Sequence, residues 1–476
     1  MASPPEQRPG RALWESVRSV LQSSSLDPPL RRGPAGPAPL SPEQALYWCP
    51  ERLEEDGAYS IPIVYRIPGE IDAAALARSL AEVARRHEVL RVRFAEIAGE
   101  PRAVLSPATA VRLPLVDLNA LPEARRRSRG ERLIAAEALQ VFRLDRGPLA
   151  AFRLLRLGLD QHILLATFHH SVFDGWSLSL FARELSTLYE AFATGLPSPL
   201  PEPRLQYADY ARWKHEWLRG PNAERQRSYW RATLDGLPRR GAREPLPVGP
   251  AVLHAQAVPP GLTRKLRDLG AAVGTTLFMT LLAAFQALLH RCSGEEDLCF
   301  RSIVAGRTRR ELCDLIGCFI NGVPLRASLA GDPSCRELLG RARESALGAF
   351  AHADVPFHLL LEELPVAPVQ ILFLFQSFPT GKLRIGGREI APEESVSEGT
   401  ETPLMVTVNE DGDGLTIDWQ GHGVAFDAPR LAALAGAYAA VLERMVADPD
   451  VRLSGLPECE GDLVEIITFL LTVEES

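Results

Sequence analysis

His169 and His170 stand side by side in the run His169-His170-Ser171-Val172-Phe173-Asp174-Gly175. A neutral imidazole, with an unperturbed pKa near ~6.5, accepts a proton at neutral pH and returns it later, a service worth about 10²- to 10⁴-fold in rate. Joining an acyl thioester to an amine calls for such a group: the amine lone pair attacks, its proton must leave once the C–N bond forms, and the transient oxyanion must be steadied. Asp174 can fold back into the turn to hold the loop or pair with an arginine from elsewhere. Gly175 permits a tight backbone approach where a side chain would obstruct the turn. Taken alone, the loop also fits a purely structural pair of histidines at a strand end.

The flanking residues say where the histidines sit. His162 to Phe168 is a short apolar run with β-branched members and reads as a buried strand. Ser177 can cap a helix whose apolar positions Leu178, Phe181, Leu185, Leu188 and Phe192 recur at helical spacing until Gly195 and Pro197 stop it. The pair is therefore expected at a strand-to-helix turn.

Strand and helix patterns alternate along the chain, as in an α/β fold. Residues 60–67 and 89–94 are strand-like around a helical stretch at 73–87, and a helix at 130–144 precedes a strand at 150–156. The Pro-, Gly- and Arg-rich segment 236–249 reads as a linker. A second alternation follows: a strongly apolar helix at 275–290, a strand at 297–304, a helix at 334–352, strands at 369–375, 404–408 and 415–419, and a helix at 429–447. We therefore expect a mobile leader over 1–38, lobes of similar content at 39–235 and 250–455, and a tail at 456–476. The apolar stretch 464–473 reads as a packed terminal strand, or alternatively as a docking element.

A length of 476 residues with 46% hydrophobic content supplies cores for such lobes, and a net charge of −8 gives no general attraction to nucleic acid or anionic membrane. Seven cysteines in no paired spacing point to reduced thiols, with neither a zinc site nor a disulfide framework. No apolar run approaches the ~20 residues of a membrane span, and the N-terminus has no signal-peptide pattern, so a cytoplasmic location is expected.

The loop reads HHxxxDG, and with Phe168 and Trp176-Ser177 it resembles the active-site motif of condensation domains of non-ribosomal peptide synthetases. Other stretches follow in that family's order. Ser41-Pro42-Glu43-Gln44 with Trp48 resembles the first motif, and Arg86-His87-Glu88-Val89-Leu90-Arg91 with Phe94 the second. Residues 207–213 (YADYARW) resemble the fourth, 316–321 (IGCFIN) the fifth and 352–357 (HADVPF) the sixth.

The resemblance implies two chloramphenicol-acetyltransferase-like lobes set in a V, with the active site where they meet. It implies no bound cofactor and no metal. A carrier protein brings the donor as a phosphopantetheine thioester, and the acceptor amine is free or carrier-bound; the enzyme is expected to be a monomer. His170 maps to the second histidine, argued in that family either as general base or as the group that positions the amine and steadies the oxyanion. By the same resemblance His169 and Gly175 support it. Asp174 is a structural ion-pair partner of either Arg86 or Arg307, while Trp213 and Asn321 shape the site.

The chain departs from the family pattern at Leu46, where arginine is usual, at Gly322 for threonine, at Ala353 for glutamine, and at 367–372, which lack an arginine-asparagine element. These departures leave the substrates open. A Met1 start without adenylation motifs or a carrier GGxS site favours a free-standing enzyme over an excised module. The alternatives are ester formation on a hydroxyl and a non-catalytic platform that recruits carriers.

Overall fold

The computed structural model describes residues 27–48, 59–107, 112–237, 249–364, 370–376, 381–394, 399–400, 402–459 and 461–471. Two sheets carry the expected alternation. In the first half the histidine strand Gln161–His169 is central, antiparallel to Ser60–Pro68 on one side and to Ala150–Gly158 on the other. Its middle residues Ile163 to Phe168 are all buried, as an apolar run in a two-sided sheet must be. The helices Ala73–Arg86 and Gly175–Ala193 bury Leu76, Leu80 and Val83, and Phe181, Leu185 and Leu188. Phe181 meets Phe152 and Phe168, which ties the helix after the histidine loop to the strand before it.

The second half is built on a seven-stranded sheet in the order Asn321–Ser328, Asp297–Val304, Ile371–Gln376, Leu404–Asp411, Gly414–His422, Gly249–Val258, Gly399–Thr400. Helix Leu277–Ser293 is apolar almost all round and correspondingly buried, with Phe285 packed against Phe300, Phe373 and Tyr438. Among the described residues no single helix is long and apolar enough to cross a membrane.

The two halves are not contiguous in sequence. Glu393–Glu394 adds an antiparallel edge strand to the first sheet beside Ile63 and Val64. Just upstream, Gly381 accepts the Tyr65 hydroxyl at 2.6 Å, and the hairpin Leu383–Ile385/Arg388–Ile390 lies on helix Gly175–Ala193. A stretch assigned from sequence to the second lobe thus braces the first.

Several expectations need correction. Residues 27–38, assigned to the leader, are tied to the first half: Asp27 accepts from Trp217 at 2.8 Å, Gly33 N–H donates to Asp209 at 2.8 Å, and Ala38 pairs with Ala103. Residues 1–26 and most of the linker, 238–248, lie outside the described residues. The helix expected at 130–144 is Glu123–Ala138; its arginine-rich first turns face solvent, so hydrophobic periodicity gave no signal there. Residues 88–91 form a 3₁₀ turn before the strand Val92–Ile97.

The terminal segment is a helix, Asp462–Leu471, not a strand. An apolar stretch does not by itself tell strand from helix, and Leu463, Ile467 and Leu470 are buried at helical spacing. Cys292 and Cys459, 167 residues apart, are joined as a disulfide, against the expectation of reduced thiols. That pairing leaves no trace in local cysteine spacing.

Candidate active site

The histidine strand ends at His169, and His170 opens a one-turn 3₁₀ helix, His170–Val172. Backbone bonds clamp this junction: His169 N–H donates to Leu149 O at 2.9 Å and His170 N–H to Tyr59 O at 2.8 Å. The two imidazoles therefore leave the backbone in different directions and meet different surroundings.

His169 turns into the protein and is 7% exposed. Its Nδ1 accepts the Ser171 N–H at 3.1 Å and lies 2.8 Å from Ser171 Oγ, while Tyr47, Tyr59 and Phe142 present edges to its ring. Burial, helped by the neighbouring His170, holds its pKa down at about 3, so it stays neutral and committed to the fold.

His170 as a residue is half-buried. Its Nδ1 lies 3.9 Å from Cys318 Sγ, and the Tyr47 ring lies nearly parallel to it, 20° off at 5.7 Å between centroids. Among the described residues no hydrogen bond to Nε2 is seen, so that nitrogen is able to accept one from a bound group. The surrounding protein lowers the His170 pKa; backbone hydrogen bonding and the Asp174 charge oppose that shift. At neutral pH the ring is thus an unprotonated acceptor.

Asp174, 1% exposed, caps helix Gly175–Ala193. Its Oδ1 accepts from Ser177 N–H at 2.9 Å and lies 2.7 Å from Ser177 Oγ; the reading of Ser177 as the cap is corrected by three residues. Its Oδ2 accepts from Arg307 Nη1 at 2.6 Å and from Phe319 N–H at 3.0 Å. Arg307 also donates to Ser177 Oγ and Leu315 O, both at 3.1 Å, and its guanidinium lies 4.2 Å from the Phe319 ring centroid. Asp174 thereby joins the histidine loop of the first half to the segments 305–307 and 315–319 of the second.

Of the two arginines considered for Asp174, the structure selects Arg307. Arg86 is not its partner: it makes a bidentate pair with Glu184 at 2.9 and 3.2 Å, with His87 on the same carboxylate at 3.1 Å. Burial would raise the Glu184 carboxyl, but the hydrogen bonds from His87 and Arg86 outweigh it and hold the pKa at about 2. Arg86 thus braces the helix that Asp174 caps. Gly175 is the first residue of that helix.

Trp213 and Asn321 act at a remove from His170. Trp213 donates to Pro28 O at 2.7 Å and adjoins Tyr210, which packs on Phe319. The Asn321 amide donates to Ala353 O and Val355 O, both at 2.8 Å, and accepts from Phe357 N–H at 2.9 Å, so it pins segment 353–357 to its strand.

Sequence reasoning missed Tyr47 and Cys318, which touch the His170 ring, and the bridging role of Ser177. Tyr47 and Cys318 lie inside stretches singled out by resemblance, but nothing in their residue types marks them. Two glycines carried a readable signal. A Cβ on Gly306, at φ +64°, would run into the Phe319 carbonyl, and one on Gly317 into the Tyr207 ring.

Comparison with known proteins shows the family and the fold. The model of the family described as "Condensation domain" matches residues 35–458. A linear gramicidin synthase component from Brevibacillus parabrevis is 39% identical over 435 residues, which are 88% of this chain and 6% of that protein. The chain thus spans a small part of the relatives it matches. The X-domain from teicoplanin biosynthesis superposes with a TM-score of 0.79 at 26% identity, covering 90% of this chain and 100% of that one. SgcC5 of Streptomyces globisporus, solved with a naphthyl ethanediol, gives 0.71 at 28%, covering 87% and 100%.

Proposed function

The chain belongs to the condensation-domain family of non-ribosomal peptide synthetases, which are amide-forming acyltransferases, and from that premise we propose that it moves an acyl or aminoacyl group from a carrier-protein phosphopantetheine thioester to an amine. The observation that carries this reading is the division between the histidines: His169 is spent on the fold, while His170 keeps Nε2 open beside the junction of the two halves.

In this mechanism Nε2 accepts a hydrogen bond from the acceptor N–H and so orients the lone pair toward the thioester carbonyl. The C–N bond forms as the carbonyl π pair moves to oxygen. The amine proton passes to Nε2 as the tetrahedral state collapses, the C–S bond breaks, and the imidazolium returns the proton to the departing thiolate. Atoms and charge balance with no further reactant. The lowered pKa of His170 keeps it ready to accept at neutral pH, and the Asp174 charge eases the transient imidazolium.

A hydroxyl acceptor, giving an ester, is the second reading; it draws on the diol found with SgcC5. A recruiting role draws on the teicoplanin X-domain, solved in complex with OxyB. Intact-protein mass spectrometry of loaded carriers offered free amines, alcohols and carrier-bound amino acids separates the three. Loss of the acyl group with a matching amide supports the proposal, an ester supports the second reading, and no transfer across the panel supports recruitment.

A further inference from the structure

Strand Asp297–Val304 alternates its side chains between the two faces of the second sheet. Phe300 faces the helix layer, where its ring meets Phe285 at 5.6 Å. Arg301 therefore faces away from that helix layer. Arg326 shows where that face points: the register Cys299↔Arg326 and Arg301↔Pro324 puts it on the same face, and it donates to Thr233 O and Asp235 O at 2.9 and 2.6 Å.

The two arginines differ in one respect. Arg326 has a counter-ion, Asp297, at 2.9 and 2.6 Å. Among the described residues no hydrogen bond or ion pair reaches Arg301; its Nε is buried, and its guanidinium lies only over the Phe357 ring at 5.8 Å. Gly322 makes room for it, since a Cβ there would come within 3.1 Å of Arg301 Cδ and 3.3 Å of Phe357 Cδ1. Burial lowers the Arg301 pKa, yet a guanidinium keeps its proton in proteins, so among the described residues a half-buried cation stands without a partner.

Its position relates it to the chemistry. Gly322 lies four residues from Cys318, whose Sγ is 3.9 Å from His170 Nδ1. At no more than about 3.6 Å per residue, roughly 14 Å of backbone at most separates them. Phe357, on which Arg301 rests, is held by Asn321, the last residue of the fifth-motif stretch.

We propose that Arg301 is an anion subsite of the acyl-transfer cleft, holding a carboxylate or phosphate group of a bound substrate. Its planar fork suits both groups, and the missing counter-ion is then the substrate's own. The inference rests on the reading that substrates occupy the space between the halves, but its test uses binding and not turnover, so that a failed transfer assay does not decide it.

The probes are amino acids against their carboxamides, and 4′-phosphopantetheine against pantetheine. Dissociation constants are measured by calorimetry on the full chain and on Arg301→Met, with Arg301→Lys as the conservative variant. At least one anionic probe is expected to bind about tenfold to hundredfold more tightly than its neutral analogue, a preference that collapses in R301M and partly returns in R301K. A carboxylate preference names an acceptor or donor acid, and a phosphate preference names the carrier arm. Ligand-free R301M is expected to melt no lower than the parent, because an unpaired cation has been removed. The proposal is overturned if no anion is preferred, if the preference survives R301M, or if R301M melts clearly lower.

Discussion

Replacing Asp174 by alanine strikes the point where the histidine loop meets the second half. Four donors converge on its carboxylate: Ser177 N–H and Oγ at 2.9 and 2.7 Å, Arg307 Nη1 at 2.6 Å and Phe319 N–H at 3.0 Å. Loss of the helix cap costs about 1 kcal/mol. Stranding Arg307, whose side chain is only 2% exposed, as an unpaired charge costs roughly 3–5 kcal/mol more. A total of ~4–6 kcal/mol is a large part of the ~5–15 kcal/mol that holds a typical domain together. Urea unfolding followed by circular dichroism measures it. The decisive variant is Asp174→Ala with Arg307→Leu, which removes the stranded charge together with its partner. That double variant should be more stable than the sum of its singles by at least ~2 kcal/mol. Additive losses, or a D174A loss within ~1 kcal/mol, would refute the claim that a buried ion pair joins the halves here.

Other consequences can be checked separately. Glu184 sits at a pKa of about 2, depressed from its unfolded value, so its stabilisation is full above about pH 4.5 and drains as pH falls toward 2. That amounts to roughly 3 kcal/mol at ~1.4 kcal/mol per unit, and Glu184→Gln should flatten the pH dependence of urea midpoints over this window; an unchanged slope would remove Arg86 and His87 as its cause. Gly306→Ala must both hold a positive φ and displace the Phe319 carbonyl. It should cost at least ~2 kcal/mol and weaken transfer, and a neutral result in the same unfolding assay would contradict the close approach. Because burial lowers the His170 pKa, the acid limb of kcat/KM should inflect below pH 6.5; an inflection at or above that value counts against a neutral acceptor.

What could be read from sequence divides along physical lines. The histidine strand and the helix after it were legible because burial on both faces writes an apolar run and burial on one face writes a 3.6-residue period. The choice between Arg86 and Arg307 was not, since each lies far along the chain and only the docking of the two halves brings Arg307 to Asp174. The edge strand Glu393–Glu394 was equally hidden: two charged residues carry no strand pattern, and their pairing with Ile63 and Val64 is a property of topology. Tyr47 and Cys318 matter through distance to one ring, which residue type does not encode. The helix Asp462–Leu471 was read as a strand because a short apolar run does not separate the two, although Leu463, Ile467 and Leu470 recur at helical spacing.

The account turns on His170 Nε2 as the atom that receives the acceptor's N–H. Its most direct test is the yield of amide, by intact-protein mass spectrometry at neutral pH, from loaded carrier and acceptor with the parent chain and with folded His170→Ala. A fall of about 10²-fold or more is predicted. Transfer at the parental rate would contradict it.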